Sequence, residues 1–438
     1  MQTVDQIIQP HWLIPVNTRQ SVLLEHAVVI DQDEIIEYGP AAAINARYEA
    51  NTSTVLDNHA LIPGLVNAHT HTAMTLLRGF ADDMPLMQWL SEHIWPTEAK
   101  WVDRAFVEAG ANLACAEMIR GGTTCFNDMY FFPDVVARCA ETAGMRACIG
   151  MIVLDFPTAW AQNADEYINQ GLAMRDQVRH SPLITTAFAP HAPYTVSDEP
   201  LQRIATLSEE LDCQVHTHVH ETAQEIEESN ARYGMRPIER LAQLGLLGPR
   251  LLAVHMTQLL PDEIDAVAEC GVHVVHCPES NMKLASGFCP VSKLAAAGIN
   301  VCIGTDGASS NNDLDLLGEM RMASLLAKGF SQDPAALNAY ETLAAATING
   351  AKALGLEHHI GSIEAGKKAD LVAIDLSACA TQPVYHPVSQ IVYSASRDQV
   401  SDVWVAGRRV LENGVLTTLD AERICATANE WRDKIGGY

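Results

Sequence analysis

The chain has 438 residues, 48% of them hydrophobic and 19% charged, and its 28 Lys and Arg against 54 Asp and Glu give a formal net charge of −26. A chain this apolar can bury a large core, which argues against disorder, and its length accommodates an α/β barrel beside a smaller unit. The strong negative charge repels phosphate backbones and argues against a nucleic-acid polymer as partner.

The amino terminus has no basic flank, and no window approaches the roughly 18 uninterrupted apolar residues of a membrane span. The 11 cysteines include no Cys-x-x-Cys pair. This usage fits reduced, mostly buried thiols better than a disulfide framework. These features predict a cytoplasmic protein with no membrane partner.

The first part of the chain alternates apolar and polar positions, as in residues 27–30 and 34–39. This period of two predicts short antiparallel strands. From Leu61 onward, apolar runs separated by amphipathic stretches indicate repeated strand-helix units around a parallel sheet. The candidate buried strands are Gly64–His69, Thr123–Met129, Ala147–Val153, Leu183–Ala189, Val215–His220, Leu251–His255, Val272–His276 and Ile299–Thr305. Strands in this number predict a closed barrel.

Strand-like pieces return after Leu356, at residues 369–374 and 403–410, and Ala406-Gly407 marks a hairpin turn in the second piece. Each β-rich end of the chain is too small to bury a core alone, so the two ends should pack together as one discontinuous domain. We therefore predict a (β/α)₈ barrel over residues 63–362. A composite β-sandwich domain, with a C-terminal helix, is predicted from residues 1–62 and 363–438.

His69 and His71 stand at the carboxyl end of the first predicted barrel strand. Residues i and i+2 of a strand point to the same face, so both imidazoles leave the strand together. At the carboxyl end of a barrel, that face looks into the mouth where active sites lie. The pair is a candidate for metal binding, against the alternative of two core histidines.

Three later strand ends also carry metal-ligand types. The fifth candidate strand runs into His216-Thr217-His218-Val219-His220-Glu221, the sixth ends at His255, and Asp306 follows the eighth. Neutral imidazoles with one aspartate suit Zn²⁺ or Fe²⁺. If these were unrelated buried polar residues, each would carry a burial cost of about 1–3 kcal/mol without a shared partner. Spacing alone does not decide which histidine of the run is the ligand.

The site is predicted to hold one metal ion. A dinuclear barrel site of this type needs a carboxylated lysine on a middle strand, and no lysine occurs from Trp101 to Met282. Zinc can lower the pKa of water from 15.7 to about 7 for attack on an aromatic ring carbon. Glu221 is placed to deliver a proton to the ring nitrogen, and Asp306 can take the water proton and pass it to the leaving group.

Five segments are specific in their order and spacing: Pro63–His71, Met74–Gly79, Ala189–Tyr194, Gly304–Asn312 and Gly361–Leu371. With the residues above, they resemble the amidohydrolase superfamily, and within it the 5′-methylthioadenosine/S-adenosylhomocysteine deaminases. The resemblance covers essentially the whole chain. It implies one divalent ion held by His69, His71, His218 and Asp306, with His218 chosen over His216 and His220 because the family places its general acid three residues after the ligand. Zinc is favoured, and Fe²⁺, Mn²⁺ and Ni²⁺ fit the same ligands.

The resemblance also implies roles around the substrate. Glu221 resembles the acid/base that protonates the purine N1, and His255 the group that polarises the water. Glu98 matches the carboxylate that accepts hydrogen bonds from the ribose 2′- and 3′-hydroxyls. His191 matches the group that contacts the purine near N3, and Trp89 matches a residue that forms an apolar wall beside the nucleoside. Without the resemblance, Glu98 could be a solvated helix residue and Trp89 a core residue. The implied partners are a nucleoside and further copies of the chain, in a dimer or tetramer.

One departure from the family concerns the amino-acid tail of S-adenosylhomocysteine. Related enzymes present arginines to it from the loop after the third strand, and no arginine lies here between Ala147 and Met174. A carboxylate without a cationic partner loses about 1.5–3 kcal/mol. We expect methylthioadenosine to be the better substrate, with S-adenosylhomocysteine and adenosine weaker.

Two other functions are compatible with parts of this pattern. A related ring hydrolase, such as a guanine deaminase or an s-triazine chlorohydrolase, would share the metal site without needing Glu98 beside a ribose. A non-catalytic assembly protein could retain the barrel, but the presence of every proposed ligand together with Glu221 argues against it.

Overall fold

The computed structural model describes residues 1–17 and 19–437. Its strands in chain order are β1 (Gln2–Leu13), β2 (Leu23–Leu24), β3 (His26–Asp31), β4 (Glu34–Pro40), β5 (Tyr48–Pro63), β6 (Leu65–Thr70), β7 (Thr123–Asp128), β8 (Arg146–Val153), β9 (Ile184–Pro190), β10 (Val215–Val219), β11 (Leu251–His255), β12 (His273–His276), β13 (Asn300–Ile303), β14 (Leu371–Asp375), β15 (Val400–Val405), β16 (Arg408–Glu412) and β17 (Val415–Leu416).

The α-helices in the same order are α1 (Ala41–Arg47), α2 (Leu86–Trp89), α3 (Trp95–Trp101), α4 (Arg104–Arg120), α5 (Pro133–Ala143), α6 (Ala164–Val178), α7 (Asp198–Glu210), α8 (Ala223–Tyr233), α9 (Pro237–Gln243), α10 (Pro261–Glu269), α11 (Pro278–Lys283), α12 (Val291–Ala296), α13 (Leu316–Ser331), α14 (Ala339–Ala345), α15 (Ile348–Ala353), α16 (Pro387–Tyr393) and α17 (Ala421–Gly436). Short 3₁₀ turns occur at Thr72–Leu77, Cys379–Thr381 and Arg397–Gln399, and a π-helical turn at Leu90–Ile94 joins α2 to α3. In the described part of the chain, no helix combines the length and the apolar character needed to cross a bilayer.

Strands β6 to β13 form an eight-stranded parallel sheet in which each strand pairs with the next along the chain. The two edge strands approach each other at Asp306, whose backbone N–H donates a hydrogen bond of 3.0 Å to the carbonyl of His69. Every residue of β6, β7, β8, β10, β11 and β12 is buried. Helices cover one face and the lumen the other, which explains the continuous apolar runs of the sequence. All eight predicted strands are present, with ends shifted by a residue or two, and the barrel is confirmed.

The remaining strands form a nine-stranded mixed sheet to which both ends of the chain contribute. β5 pairs antiparallel with β14, with Pro63 opposite Leu371. A hydrophobic cluster contains Ile8 and Val28 from the first end and Leu371 and Trp404 from the second. The prediction of a second β unit built from both chain ends is confirmed as a separate mixed sheet, and its arrangement as a sandwich stays a prediction. The hairpin between β15 and β16 lies where it was predicted.

Two details of this sheet were not predicted. β1 and β5 run parallel, because the short helix α1 connects β4 to β5 as a crossover, whereas only antiparallel strands were expected. In addition, the C-terminal helix α17 lies against the barrel helix α4, where Trp431 meets Phe106 edge to face at 5.4 Å. The division into two domains at residues 62/63 and 362/363 stays a prediction.

All 11 cysteines are free, and eight of them are buried.

Candidate metal centre and active site

Three histidines and one aspartate converge at the carboxyl end of the barrel. His69 lies in β6, His71 directly after it, His218 in β10 and Asp306 after β13. One ligand atom from each residue lies within 4.8 Å of all the others. Oδ1 of Asp306 is 3.2 Å from Nε2 of both His69 and His71, and the Nε2 atoms of His69 and His218 are 3.1 Å apart. Strands distant in sequence therefore place four donors around one point.

The second ring nitrogen of each histidine is held by a neighbour. Nδ1 of His71 donates to the carbonyl of Met129 at 2.5 Å, and Nδ1 of His218 donates to the carbonyl of His191 at 2.7 Å. Because a carbonyl oxygen only accepts, both rings carry their proton on Nδ1 and present a free Nε2 lone pair. Nδ1 of His69 instead lies 2.8 Å from Nε2 of His216.

Asp306 is ionised and firmly oriented. Its Oδ2 accepts hydrogen bonds from the hydroxyls of Ser280 and Ser310 at 2.6 and 3.0 Å. Burial alone would raise the pKa of this carboxyl, but its electrostatic interactions with the neighbouring His69 and His71 imidazoles outweigh burial and hold the pKa well below its usual value. The backbone of Asp306 has φ +61°, a conformation that is uncommon outside glycine and recurs at functional sites.

This donor set fits a divalent metal ion. Imidazole nitrogens and a single carboxylate oxygen are ligands that Zn²⁺ takes in catalytic sites, where a further position stays open for water. The orientation of the rings through their other nitrogens is also typical of such sites. The group of His69, His71, His218 and Asp306 could therefore hold such an ion and is the candidate metal centre.

Glu221 and His255 lie beside the metal centre, with the ring of His255 stacked on that of His218 at 5.4 Å. Oε2 of Glu221 is 3.9 Å from Nε2 of His255, and Nδ1 of His255 lies 2.8 Å from Oδ1 of Asn281. Burial raises the pKa of Glu221 above its ordinary value. The backbone of Glu221 is held in turn, since its N–H donates to Oε2 of Glu225 at 2.7 Å.

A cavity of about 440 Å³ opens from this group, and its wall includes His71, Glu221, His255 and Asp306. Trp89, Glu98 and His191 line the same cavity, so every predicted substrate-contacting residue faces it. Within the described residues, its wall contains neither arginine nor lysine. The cavity therefore combines an apolar wall with the carboxyl groups of Glu98, Glu221 and Asp306 and with several imidazoles.

Glu98 lies in α3, after the π-helical turn, and accepts a hydrogen bond of 2.6 Å from the hydroxyl of Tyr130. Burial raises the pKa of Glu98 to about 7, although the Tyr130 hydrogen bond acts in the opposite direction. Burial lowers the pKa of His191 to about 3, so this ring is neutral. The indole N–H of Trp89 donates to the carbonyl of Ala81 at 3.0 Å.

The three histidines of the β10 run have different surroundings. His218 belongs to the metal centre, whereas His216 lies behind it, against His69. His220 is turned away, and its Nε2 accepts the backbone N–H of Ile238 at 3.1 Å.

Several supporting residues were missed from sequence. Tyr130 lies two residues past β7, much as the predicted ligands lie at the ends of their strands. The same signal, a polar residue just past a buried strand, could have found it. Ser280, Asn281 and Glu225 carry no such signal, because they lie inside helices α11 and α8.

Comparison with known proteins agrees with this architecture. An eight-stranded parallel barrel with a histidine and aspartate metal centre at its carboxyl end defines a class of barrel metalloenzymes. Residues 60–410 match the amidohydrolase family, and the chain belongs to that family of enzymes.

Two proteins about half identical to this chain, and one more distant structure, are similar to it. A protein of Teredinibacter turnerae named 5-methylthioadenosine/S-adenosylhomocysteine deaminase is 50% identical over 99% of this chain and 98% of its own length. The crystal structure of an adenosine deaminase from Xanthomonas campestris with bound zinc superposes with a TM-score of 0.98 at 51% identity, covering 100% of both chains. Atrazine chlorohydrolase from Arthrobacter aurescens has a TM-score of 0.90 at 24% identity, covering 97% of this chain and 99% of its own. At that identity the last shows a shared fold alone.

Proposed function

We propose that this protein is a zinc-dependent aminohydrolase that removes the 6-amino group of 5′-modified adenosines, giving the inosine analogue and ammonia. The observation that carries the proposal is one cavity that contains the metal centre, the Glu221 and His255 pair and the Glu98 carboxylate. The names of the relatives from Teredinibacter turnerae and Xanthomonas campestris support the same substrate class. The zinc in the second structure supports that metal over Fe²⁺, Mn²⁺ or Ni²⁺.

A divalent ion held by His69, His71, His218 and Asp306 would supply a water of lowered pKa and orient it. Asp306, kept ionised by its imidazole neighbours, accepts a proton from that water. His255, oriented by Asn281, turns Nε2 toward the water and accepts its hydrogen bond. The water oxygen forms a bond to C6 of the purine.

Glu221 supplies the proton that makes C6 electrophilic. Burial raises its pKa, so the carboxyl is held in its protonated form more readily than an exposed glutamate and can donate to N1. Asp306 passes the water proton to the amino group, the bond from C6 to that nitrogen breaks, and ammonia leaves. The proton left on the C6 hydroxyl then passes to Glu221 as the C6 carbonyl forms, while N1 keeps the proton that it received, which restores the starting state.

Glu98 and His191 would hold the rest of the nucleoside. A carboxylate only accepts, and the two ribose hydroxyls are donors, so Glu98 matches them. Nδ1 of His191 lies 3.2 Å from the hydroxyl of Thr195. With that hydroxyl donating to Nδ1, Nε2 would carry the ring proton and could donate to N3. Trp89 supplies an apolar surface in the cavity wall.

The cavity wall supports a preference for substrates without a charged tail. The segment after β8 contributes Leu154, Phe156 and Pro157 to the wall, and none of the described wall residues is an arginine or a lysine. The carboxylate of S-adenosylhomocysteine would therefore lack a charge-assisted partner worth about 1.5–3 kcal/mol. We propose methylthioadenosine as the preferred substrate, by roughly tenfold to a hundredfold in kcat/KM.

The test is a panel assay on the zinc-loaded protein. Adenosine, methylthioadenosine, S-adenosylhomocysteine, guanine and a chlorotriazine are each supplied, and the change in ultraviolet absorbance and the ammonia released are measured. We expect turnover of the three adenosines with methylthioadenosine fastest. Turnover of only guanine or the triazine would contradict the proposal, and a higher kcat/KM for S-adenosylhomocysteine would contradict the preference.

Two expectations accompany the proposal. Symmetric homo-oligomers are common among such enzymes, and we propose a dimer or tetramer, to be measured by light scattering. A cytoplasmic location, inferred from the sequence, is proposed as well.

A further inference from the structure

We propose that His216 is a positioning residue of the metal centre, which holds the ring of His69 with Nε2 directed at the ion. The inference rests on the proposed zinc site and assigns a role to a residue outside its four ligands. His216 was only an alternative ligand from the sequence. The structure places its ring against a ligand, where it can act through that ligand alone.

The geometry is that of a ring-to-ring hydrogen bond. Nε2 of His216 is 2.8 Å from Nδ1 of His69, the ring centroids are 4.8 Å apart, and the planes meet at 78°. Both residues are completely buried, so no solvent competes for this bond. A hydrogen bond at this distance is well formed.

His69 differs from the other two imidazole ligands in what orients it. His71 and His218 are fixed by backbone carbonyls, those of Met129 and His191, which no side-chain substitution removes. His69 depends on the side chain of His216. The hydrogen bond between His216 and His69 is therefore the one ligand-orienting contact of these three histidines that a single substitution can remove.

The direction of the hydrogen bond follows from metal binding. When Nε2 of His69 coordinates an ion, its Nδ1 carries the proton and donates to Nε2 of His216. His216 must then act as the acceptor, with its own proton on Nδ1. No backbone or side-chain group of the described residues bonds to that Nδ1 atom, so the His69 contact is the hydrogen bond that holds the His216 ring.

The position of His216 in the barrel explains why it can reach His69. His216 and His218 both lie in β10, two residues apart, so their side chains point to the same face, with His216 one step deeper. His218 meets Nε2 of His69 at 3.1 Å, while His216 meets Nδ1 of the same ring. The two β10 histidines thus contact the two ring nitrogens of His69 from different depths in the barrel.

The test compares variants that keep or remove the acceptor. His216→Gln can place an amide oxygen near the position of Nε2, whereas His216→Leu has a similar volume and no acceptor. His276→Leu is the matched control, since His276 is also a buried imidazole at a barrel strand end and belongs to no part of the metal centre. His69→Asn marks the effect of losing a ligand.

Zinc affinity is measured by competition with a chromophoric chelator on each purified apoprotein, together with urea unfolding of the same samples. We expect His216→Leu to bind zinc about tenfold to a hundredfold more weakly than the parent, the range for outer-sphere partners of metal ligands. His216→Gln should recover most of that loss, and His276→Leu should bind like the parent. A general structural role would instead lower the unfolding midpoint of both leucine variants without separating their zinc affinities.

Parental zinc affinity in His216→Leu would overturn the inference, as would an equal loss in His276→Leu. If His216→Leu does not fold, a His216→Gln protein that binds zinc no better than His69→Asn overturns it as well. Failure of the proposed metal site is distinguishable, because the parent itself would then bind no zinc and His69→Asn would change nothing.

Discussion

The hydroxyl of Tyr130 donates a hydrogen bond of 2.6 Å to Oε1 of Glu98, and this contact ties the end of β7 to helix α3 across the cavity wall. Burial raises the pKa of Glu98 to about 7, and the Tyr130 hydrogen bond restrains that rise because it favours the charged carboxylate. The charge state of the proposed ribose contact is therefore set close to neutral pH.

This pKa predicts the acid limb of the pH profile. Below about pH 7 Glu98 takes up a proton and loses its capacity to accept from both ribose hydroxyls, so kcat/KM for methylthioadenosine should fall as the pH decreases. Tyr130→Phe removes the hydrogen bond that favours the charged form, so the limb should move upward by about one pH unit. Steady-state profiles of the parent and Tyr130→Phe measure this shift, and a downward movement would contradict the assignment.

Glu98→Ala should lower kcat/KM selectively for nucleoside substrates. Loss of two hydrogen bonds to a charged acceptor predicts a fall of at least about tenfold in kcat/KM for methylthioadenosine. The kcat/KM for a free adenine analogue, which has no ribose, should fall far less. Equal losses for both compounds would show that Glu98 does not contact the ribose.

Glu221→Gln should separate chemistry from metal binding. The variant cannot deliver the proton to N1, so turnover should fall by the 10²–10⁴ typical of general acid loss. Zinc content by elemental analysis should equal that of the parent, because Glu221 lies outside the ligand group. Near-normal turnover would remove Glu221 from the mechanism.

His69→Asn should lower bound metal, since it removes one of four ligands at the centre. We expect less zinc per chain after dialysis, and activity that returns only at high added zinc. Chelation of the parent should abolish turnover, and zinc should restore it. Full metal occupancy in the variant would exclude His69 as a ligand.

Gly304 is a position where backbone packing controls the metal centre. A Cβ atom there would lie 2.8 Å from the backbone nitrogen of His69 and 2.9 Å from its Cβ. Gly304→Ala should therefore displace the end of β6 and destabilise the protein by about 1–3 kcal/mol, with weaker zinc binding. Gly248→Ala is the control, because nothing lies within 4 Å of a Cβ atom at that position; equal urea midpoints for the two variants would contradict the expectation.

Much of the fold was accessible from sequence because its signals are local. Apolar runs such as 147–153 belong to strands buried on both faces, and a run of eight of them with intervening helical stretches leaves few topologies other than a barrel. The strand ends then place His69, His71, His218 and Asp306 near one another, since parallel strands end on one side of the sheet. The parallel pairing of β1 with β5 was not accessible, because it depends on how a short crossover helix packs.

The barrel, the second β unit from both chain ends and the residue types at each strand end follow from the amino-acid sequence, because hydrophobic period and strand order are properties of the chain. Which partner each side chain meets depends on how the folded chain packs. Hydrogen bonds join Tyr130 to Glu98, Asn281 to His255, and His216 to His69. Each pair joins residues far apart in the chain whose distance is set by barrel closure and side-chain packing, and no spacing in the sequence encodes that distance.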